Sequence, residues 1–251
     1  MTALDEIVAF CDETTRRHEV ADFPGANNGL QLQNNGSVSR IGAAVDAGRI
    51  PFEAAIAEGI DFLIVHHGLF WNTPSSYSGP LYEKLKLAMD NNLAVYSSHL
   101  PLDAHQEIGN NRLLAKTIGL EPVEWFLPYE GTPIALLAEG PPDRDELRKR
   151  LESEYPGGIT AIEYGSTKPG KVAILTGSGR SALSELKSVG TDTLITGELR
   201  QEHFNLAQEE GFNLYVCGHY ATERYGVTAL AKLAGEAFKL PFSFVQTDCP
   251  L

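Results

Sequence analysis

The stretch Asp61-Phe62-Leu63-Ile64-Val65-His66-His67-Gly68 places two adjacent histidines directly after an apolar run. The apolar residues between Gly59 and Gly68 predict a short buried strand. Neighbouring side chains in a strand point to opposite faces, so one histidine would face apolar packing. Where the strand passes into a loop, both imidazoles can turn toward one crevice. The pair therefore indicates either packed histidines or the ligands of one or two metal ions.

Predicted strands and helices alternate outward from this stretch through the first half of the chain. Apolar residues repeat at the helical period in the predicted helices, and Pro51 suits a helix start. Alternation at this spacing is typical of βαβ units and a parallel sheet. The predicted strands fall at residues 30–33, 41–46, 61–65 and 93–98, and the helices at 3–17, 51–58, 81–91 and 109–118.

The second half of the chain repeats this pattern. Strands are predicted at residues 134–138, 171–175, 193–195, 213–217 and 242–245, and helices at 143–154, 181–189, 199–210 and 219–237. We therefore predict an α/β fold of two similar lobes, residues 1–125 and 126–251, with mainly parallel sheets. A linker is expected near residues 121–131, and the last strand could join either sheet.

Composition limits the kinds of function open to the chain. Its 251 residues, 43% hydrophobic and 21% charged, are typical of a soluble globular protein. A formal charge of −13 argues against broad contact with a nucleic-acid backbone, which needs clustered Lys and Arg. Three cysteines without a CxxC pair favour a reducing compartment. We expect neither a signal peptide nor a membrane-spanning segment, and a cytoplasmic location.

Several predicted strands are followed by polar side chains that can bind metals. Asp103 precedes a predicted helix, so it could be a ligand or a cap of that helix. His219 and Glu223 stand four residues apart at a helix start, which places both on one face. That spacing can present two ligands to one site, although such pairs are also common on exposed helices. Open α/β sheets hold ligands at the carboxyl ends of their strands, where these residues are expected.

Two more carboxylates, Asp46 and Glu198, lie at the ends of predicted strands. Either one could orient a metal-binding histidine through the imidazole nitrogen that does not bind the metal. Either one could instead be a charge placed near a helix N-terminus. The sequence leaves both interpretations open.

The segment Thr176-Gly177-Ser178-Gly179-Arg180-Ser181 could cradle a phosphate through backbone N–H groups at a helix start. It lacks the Gly-Lys-[Ser/Thr] ending of a P-loop and the full GxGxxG pattern, so a tight turn is the favoured interpretation. His105 and His203 are expected on helix surfaces. Cys217 is expected in the core rather than as a thiolate nucleophile.

The candidate ligands are more specific as a set. His66, His67 and His219 offer imidazoles, and Asp103 and Glu223 offer carboxylates. A carboxylate can bridge two cations whereas an imidazole binds one, so the set suits two divalent metal ions with open positions for water. Mixed nitrogen and oxygen ligands favour Fe, Mn, Zn, Co or Ni over Ca or Mg.

The motifs that contain these residues follow a known order. They resemble the successive motifs of the YbgI-type, Nif-three-like dinuclear metal-centre family, whose members are often named GTP cyclohydrolase I type 2 homolog. The match extends from about Asn28 to Glu223, and its HHGxFW and GHxATE motifs are highly specific. The matching segments are Asn28-Gly29-Leu30-Gln31, His66-His67-Gly68-Leu69-Phe70-Trp71, His99-Leu100-Pro101-Leu102-Asp103-Ala104-His105, Thr196-Gly197-Glu198 and Gly218-His219-Tyr220-Ala221-Thr222-Glu223.

The resemblance implies an α/β protomer with two similar lobes and a metal site at strand carboxyl ends between them. It also implies a toroidal homohexamer with the site facing its interior. The family's ligands fall on the same five residues. Two departures matter: His99-Leu100-Pro101-Leu102-Asp103 replaces the usual His-Thr-Asn-Leu-Asp, which leaves the role of His99 open, and the long central insertion of some members is missing.

These observations favour a metal-dependent hydrolase that acts on a nucleotide or heterocyclic metabolite through a metal-activated water. Glu198 is the candidate general base by its position, and Arg180 or Arg224 could receive an anionic group. The alternative is a non-catalytic metal-binding or regulatory ring that binds a protein or nucleic-acid partner. A third hypothesis is a nucleotide-binding module that uses residues 176–181. The cyclohydrolase name of the family is not taken as an activity.

Overall fold

The computed structural model describes residues 1–72, 74, 76–247 and 249–250. The chain divides into two compact units. Unit 1 contains Met1–Leu102 and the later segment 226–247, and unit 2 contains Asp103–Tyr225. Each unit has one main β-sheet with helices, so the predicted α/β class is confirmed.

Helices and strands alternate as the sequence predicts over much of the chain. The helices are α1 (Leu4–Thr14), α2 (Arg49–Ala57), α3 (Gly79–Asp90), α4 (Leu100–Asp103), α5 (Asn110–Thr117), α6 (Arg144–Glu154), α7 (Glu202–Glu210) and α8 (His219–Phe238), with a 3-10 helix at Arg180–Glu185. The strands are β1 (Thr2–Ala3), β2 (Gly29–Leu32), β3 (Ser37–Val38), β4 (Ile41–Asp46), β5 (Phe62–His67), β6 (Ala94–Ser97), β7 (Pro122–Tyr129), β8 (Thr132–Glu139), β9 (Thr160–Glu163), β10 (Lys171–Ser178), β11 (Thr193–Glu198), β12 (Asn213–Val216) and β13 (Phe242–Phe244).

The sheet of unit 1 has the order β13-β4-β5-β6-β2. Its first three pairings are parallel, and β2 pairs with β6 in the antiparallel direction. The apolar residues of β5 are fully buried, as expected for a central parallel strand covered on both faces. The last strand, β13, joins β4. Of the two sheets it could have joined, it therefore extends the N-terminal one.

The sheet of unit 2 has the order β7-β8-β10-β11-β12-β9 and is mixed. Its central pairs, β10 with β11 and β11 with β12, are parallel, whereas its outer pairs are antiparallel. The prediction of mainly parallel sheets therefore holds for unit 1 and is wrong for unit 2. For the β7–β8 pair the physical reason is a hairpin, since the short turn between the two strands forces antiparallel pairing.

The linker predicted at residues 121–131 is instead strand β7 and this hairpin turn. Glu130 and Gly131 have φ angles of 47° and 87°, as the two central residues of a type I′ turn require. Pro122 and Pro128 interrupt the alternating pattern that would have revealed a strand. The strand tolerates them because it lies at the edge of the sheet.

Unit 2 begins at Asp103, whereas the predicted boundary between the lobes lies after residue 125. Helix α5 belongs to unit 2, where Leu114 and Ala115 are fully buried in one apolar cluster with Leu136 of β8 and Ile174 of β10. Burial of this apolar face fixes the helix to the second sheet. Among the described residues, no helix combines the length and apolar character that a membrane span requires.

Shortening Leu114 to alanine tests this assignment of α5. We expect Leu114→Ala to lower the free energy of unfolding of unit 2 by about 2–5 kcal/mol, because it leaves a cavity in a closed core. The exposed Val123→Ala in the same unit is the control and should cost less than about 1 kcal/mol. Urea denaturation measures both values. Equal losses in the two variants would contradict the assignment.

Candidate metal centre

His66 and His67 end strand β5 in unit 1, and each imidazole is anchored through Nδ1. The Nδ1 atom of the fully buried His66 lies 3.0 Å from the carbonyl oxygen of Ser98. The Nδ1 atom of His67 lies 2.9 Å from Oδ1 of Asp46. Both oxygens can only accept, so each Nδ1 carries the hydrogen and each Nε2 has the lone pair. This is the tautomer in which an imidazole binds a metal through Nε2.

The pairing of β4 with β5 explains the contact of Asp46 with His67. Asp46 stands directly opposite His67 in the parallel register of the two strands. The geometry therefore favours the interpretation of Asp46 as an orienting carboxylate over that of a charge near a helix N-terminus.

A third imidazole, that of His99, lies beside these two. Its ring centroid is 4.9 Å from that of His66 and 5.7 Å from that of His67. Its Nδ1 atom lies 2.8 Å from Oδ1 of Asp22. One ligand atom from each of the three histidines lies within 4.8 Å of the others, a separation from which they could hold a metal ion. Asp22 had no signal in the sequence, since it stands in a turn-rich connector far from His99 along the chain.

The charge of Asp22 is set by its neighbours. Burial raises the pKa of Asp22, but the hydrogen bond and charge of His99 and the hydrogen bonds from Asn28 and the backbone of Phe23 outweigh it. The pKa of Asp22 therefore lies below its ordinary value. An ionised Asp22 is a strong acceptor for the Nδ1 hydrogen of His99.

In unit 2, His219 and Glu223 lie at the start of α8, as their spacing predicts. Nε2 of His219 is 3.2 Å from Oε2 of the buried Glu223, and Nδ1 is 3.3 Å from Oε2 of Glu198 at the end of β11. Hydrogen bonding to Glu223 raises the pKa of His219 to about 9, although burial acts in the opposite direction. Carboxylates that stabilise a proton on this imidazole would also stabilise a metal cation bound there.

The glycine segment at residues 176–181 has a role that its sequence did not reveal. Strand β10 continues to Ser178, with an irregular register against β11 after Leu175. Gly177 has a φ angle of 63°, and a Cβ atom on it would lie 2.1 Å from Oε1 of Glu223 and 3.1 Å from Nε2 of His219. Only glycine lets the backbone approach the two candidate ligands this closely. The segment is thus a strand end packed against the ligands rather than a simple tight turn.

Asp103 is the last residue of α4, and its buried carboxylate accepts a 2.7 Å hydrogen bond from Nδ2 of Asn110. Gly109, not Asp103, is the N-cap residue of α5. Capping of that helix therefore does not explain the burial of Asp103. A carboxylate oriented by a side-chain amide fits the predicted ligand role.

Three other polar residues fall outside the candidate ligands. His203 is buried, and its Nδ1 accepts the backbone N–H of Arg200, so its prediction as a surface histidine is wrong. His105 is half-buried and accepts backbone N–H groups in the same manner. Cys217 lies in the core, where burial raises the pKa of its thiol to about 12. The core interpretation of Cys217 is confirmed.

Known proteins resemble this chain over almost its whole length. The model of the family described as Duf34/NIF3 (NGG1p interacting factor 3) matches residues 2–250. A Deinococcus radiodurans protein named GTP cyclohydrolase 1 type 2 homolog is 36% identical, covering 96% of this chain and 92% of its own. The crystal structure of TTHA1606 from Thermus thermophilus superposes with a TM-score of 0.87 at 35% identity. The structure of protein ybgI superposes with a TM-score of 0.91 at 29% identity. Both superpositions cover 100% of each chain.

Adding one methyl group at Gly177 tests its contact with the ligands. We expect Gly177→Ala to weaken the binding of a divalent metal about tenfold or more, because it displaces Glu223 and His219. Gly190→Ala is the matched control, since Gly190 also has a positive φ angle, 75°, but no atom within 4 Å of a Cβ. Competition titration with a chelator measures both affinities. An equal loss in both variants would assign the effect to backbone strain instead.

Proposed function

We propose, from the premise that the chain belongs to the Duf34/NIF3 family, that it is a metal-dependent hydrolase. In this proposal two divalent metal ions are held by His66, His67, Asp103, His219 and Glu223. The family that the motifs predicted is correct, and the curated relatives named GTP cyclohydrolase 1 type 2 homolog give an enzyme only weak support. The donor atoms of this chain provide stronger support.

The observation that carries the proposal is the orientation of the three imidazoles. Each predicted histidine ligand directs Nδ1 at an oxygen acceptor, which leaves Nε2 as the ligand atom. The two predicted carboxylates, Asp103 and Glu223, are 6% and 3% exposed. Glu223 lies 3.2 Å from Nε2 of His219, and a positive charge there would offset the burial of its carboxylate. Such a set of nitrogen and oxygen donors fits Fe, Mn, Zn, Co or Ni.

Bound metal ions would supply Lewis acidity and lower the pKa of a water molecule toward neutrality. The chain itself would position that chemistry. Asp46 and Ser98 hold the imidazoles of unit 1, and Gly177 provides the space that Glu223 occupies. Glu198 has a half-exposed carboxylate next to His219, so it is our candidate for the proton acceptor.

A planar heterocycle or nucleotide base is the proposed substrate class. Trp71 and Phe23 are partly exposed aromatic rings in unit 1, and their centroids lie 4.9 Å and 5.7 Å from that of His99. Such rings provide a surface on which a flat ring can stack. Arg180 is the better candidate to receive an anionic group, because the guanidinium of Arg224 is bound to Glu154 at 2.6 Å.

Family membership also supports two broader proposals. We propose a homohexamer, which sedimentation equilibrium would contradict if it found only the mass of one chain. We propose a cytoplasmic location, because the cysteines at 11, 217 and 249 are free and suit a reducing compartment. Secretion of the native protein into culture medium would contradict it.

Metal content tests the proposed ligands directly. Mass spectrometry of the purified chain should give about two divalent metals per chain. Asp103→Ala and Glu223→Ala should both fall well below that number, because each removes a carboxylate ligand. Glu209→Ala, an exposed carboxylate of α7, should keep the parent value. A parent chain that binds no metal even when it is supplied would end the hydrolase proposal.

Glu198→Gln separates the enzyme from a non-catalytic metal-binding assembly. The amide keeps the size of the side chain but cannot accept a proton, so turnover should fall about 10²-fold or more while metal content stays that of the parent. A panel of nucleotides, GTP included, and cyclic heterocycles measures turnover in the presence of each candidate metal. Turnover in Glu198→Gln equal to that of the parent would remove the residue from the mechanism. No metal-dependent turnover on any compound would favour the regulatory assembly.

A further inference from the structure

A cavity of about 390 Å³ lies in unit 2 between the 3-10 helix and α7. The described residues that line it include none of the five predicted metal ligands. Leu183 and Phe212 in its wall are buried members of the apolar cluster on one face of the sheet, and the half-buried Leu206 packs against that cluster. The volume is that of a site for a small organic molecule, and the three apolar side chains can cover an apolar part of it.

His203 is a buried polar side chain in the same wall. It is 6% exposed, and its Nδ1 accepts the backbone N–H of Arg200 at 2.9 Å. A ring nitrogen that accepts a hydrogen bond carries no hydrogen, so the hydrogen of this imidazole is on Nε2. No described residue accepts from that Nε2. Because a buried donor without an acceptor costs free energy, Nε2 favours a ligand with an acceptor group.

Arg180 gives the cavity its unpaired positive charge. Its guanidinium forms no ion pair or hydrogen bond with any described residue. Lys187, the other cation of the wall, is bound to Glu210 and lies 5.7 Å from the ring centroid of Phe212. Glu210 is the one acid among the described lining residues, so the wall carries a net positive charge. The whole chain has a formal charge of −13, which makes this local excess of positive charge unusual.

The unpaired groups lie at one end of the cavity. Arg180 follows the carboxyl end of β10 and His203 follows that of β11, and these two strands are parallel neighbours. Lys187 and Glu210 each come seven residues later in the chain and contact each other. The cavity thus has a positive, donor-rich end and a neutralised end. A ligand that matches it has one anionic end and an apolar body.

We propose that this cavity binds a small organic anion with an apolar body, at a site separate from the predicted metal centre. The carboxylate or phosphate group of the ligand accepts hydrogen bonds from the guanidinium of Arg180 and from Nε2 of His203. The apolar body lies over Leu183, Leu206 and Phe212. The inference does not rest on the proposed function. Where both hold, this ligand and the anionic group of the substrate compete for Arg180.

Isothermal titration calorimetry of the whole chain with octanoate and octanol tests the site, because the two share an apolar body and differ in charge. About one octanoate should bind per chain, about tenfold or more tightly than octanol. Acetate should bind about tenfold or more weakly than octanoate, because it lacks the apolar body. Arg180→Gln, a change at an exposed residue, should lower the affinity for octanoate about tenfold and leave that for octanol unchanged.

Two further variants separate the cavity from general charge effects. His203→Asn keeps an acceptor for the N–H of Arg200 but lacks the Nε2 hydrogen, so it should also weaken the binding of octanoate and not that of octanol. Lys149→Gln removes the same charge from an exposed site on α6 of unit 2 and should bind as the parent does. Circular dichroism confirms that each variant is folded.

Octyl phosphate distinguishes a phosphate from a carboxylate end, and tight binding of either anion supports the site. No binding of either anion at about 1 mM would overturn the inference. Equal affinities for octanoate and octanol, or equal losses in Arg180→Gln and Lys149→Gln, would also overturn it. An anion can bind to metal ions directly, so the titration is repeated after chelation, and binding that disappears with the metals would overturn the separate site. Octanoate bound by a chain that holds no metal would support this inference while the proposed function fails.

Discussion

A hydrogen bond at one ring nitrogen fixes the orientation of an imidazole, and such contacts hold histidines at the carboxyl ends of strands in both units. In unit 1 the holding groups come from the neighbouring parallel strands. Asp46 faces His67 because β4 and β5 pair in register, and the carbonyl of Ser98 follows β6 on the other side of His66. The sheet therefore fixes the orientation of both histidines.

In unit 2 the histidine whose ring nitrogen is held, His219, lies on a helix instead of a strand. The first turn of α8 lies against the ends of β10 and β11, where a side chain would not fit. A Cβ atom on Gly197 would approach the Cα atom of His219 to 2.7 Å, and one on Gly177 would meet Glu223. Thr222 on the same turn bonds to the backbone of Gly177, which fixes the rotation of the helix. Glu198 can then reach Nδ1 of His219 from the end of β11.

Local patterns in the sequence predicted the parts of the fold that depend on local physics. The buried strand β4 was predicted at its observed bounds, because its apolar run ends in a charged residue and a glycine-containing turn. Strands β7 and β9 were not predicted, since proline interrupts one and the other is short and half-exposed. The helix expected after β10 is a 3-10 helix. Pairing with distant strands decides such edge elements, and it leaves little trace in a local window.

In the candidate site, too, some features follow from local sequence and others depend on residues distant along the chain. The five candidate ligands could be selected from the sequence because their residue types, His, Asp and Glu, are those that bind metals, and their role as ligands stays a prediction. The sequence also offered Asp46 and Glu198 as orienting carboxylates, and the structure pairs them with His67 and His219. It gave no sign of the backbone carbonyl that accepts from His66, because any residue supplies such an acceptor. Asp22 is another such group, because it accepts from His99 across a separation of 77 residues along the chain. A local motif therefore cannot show which group orients a histidine when only the fold brings the two together.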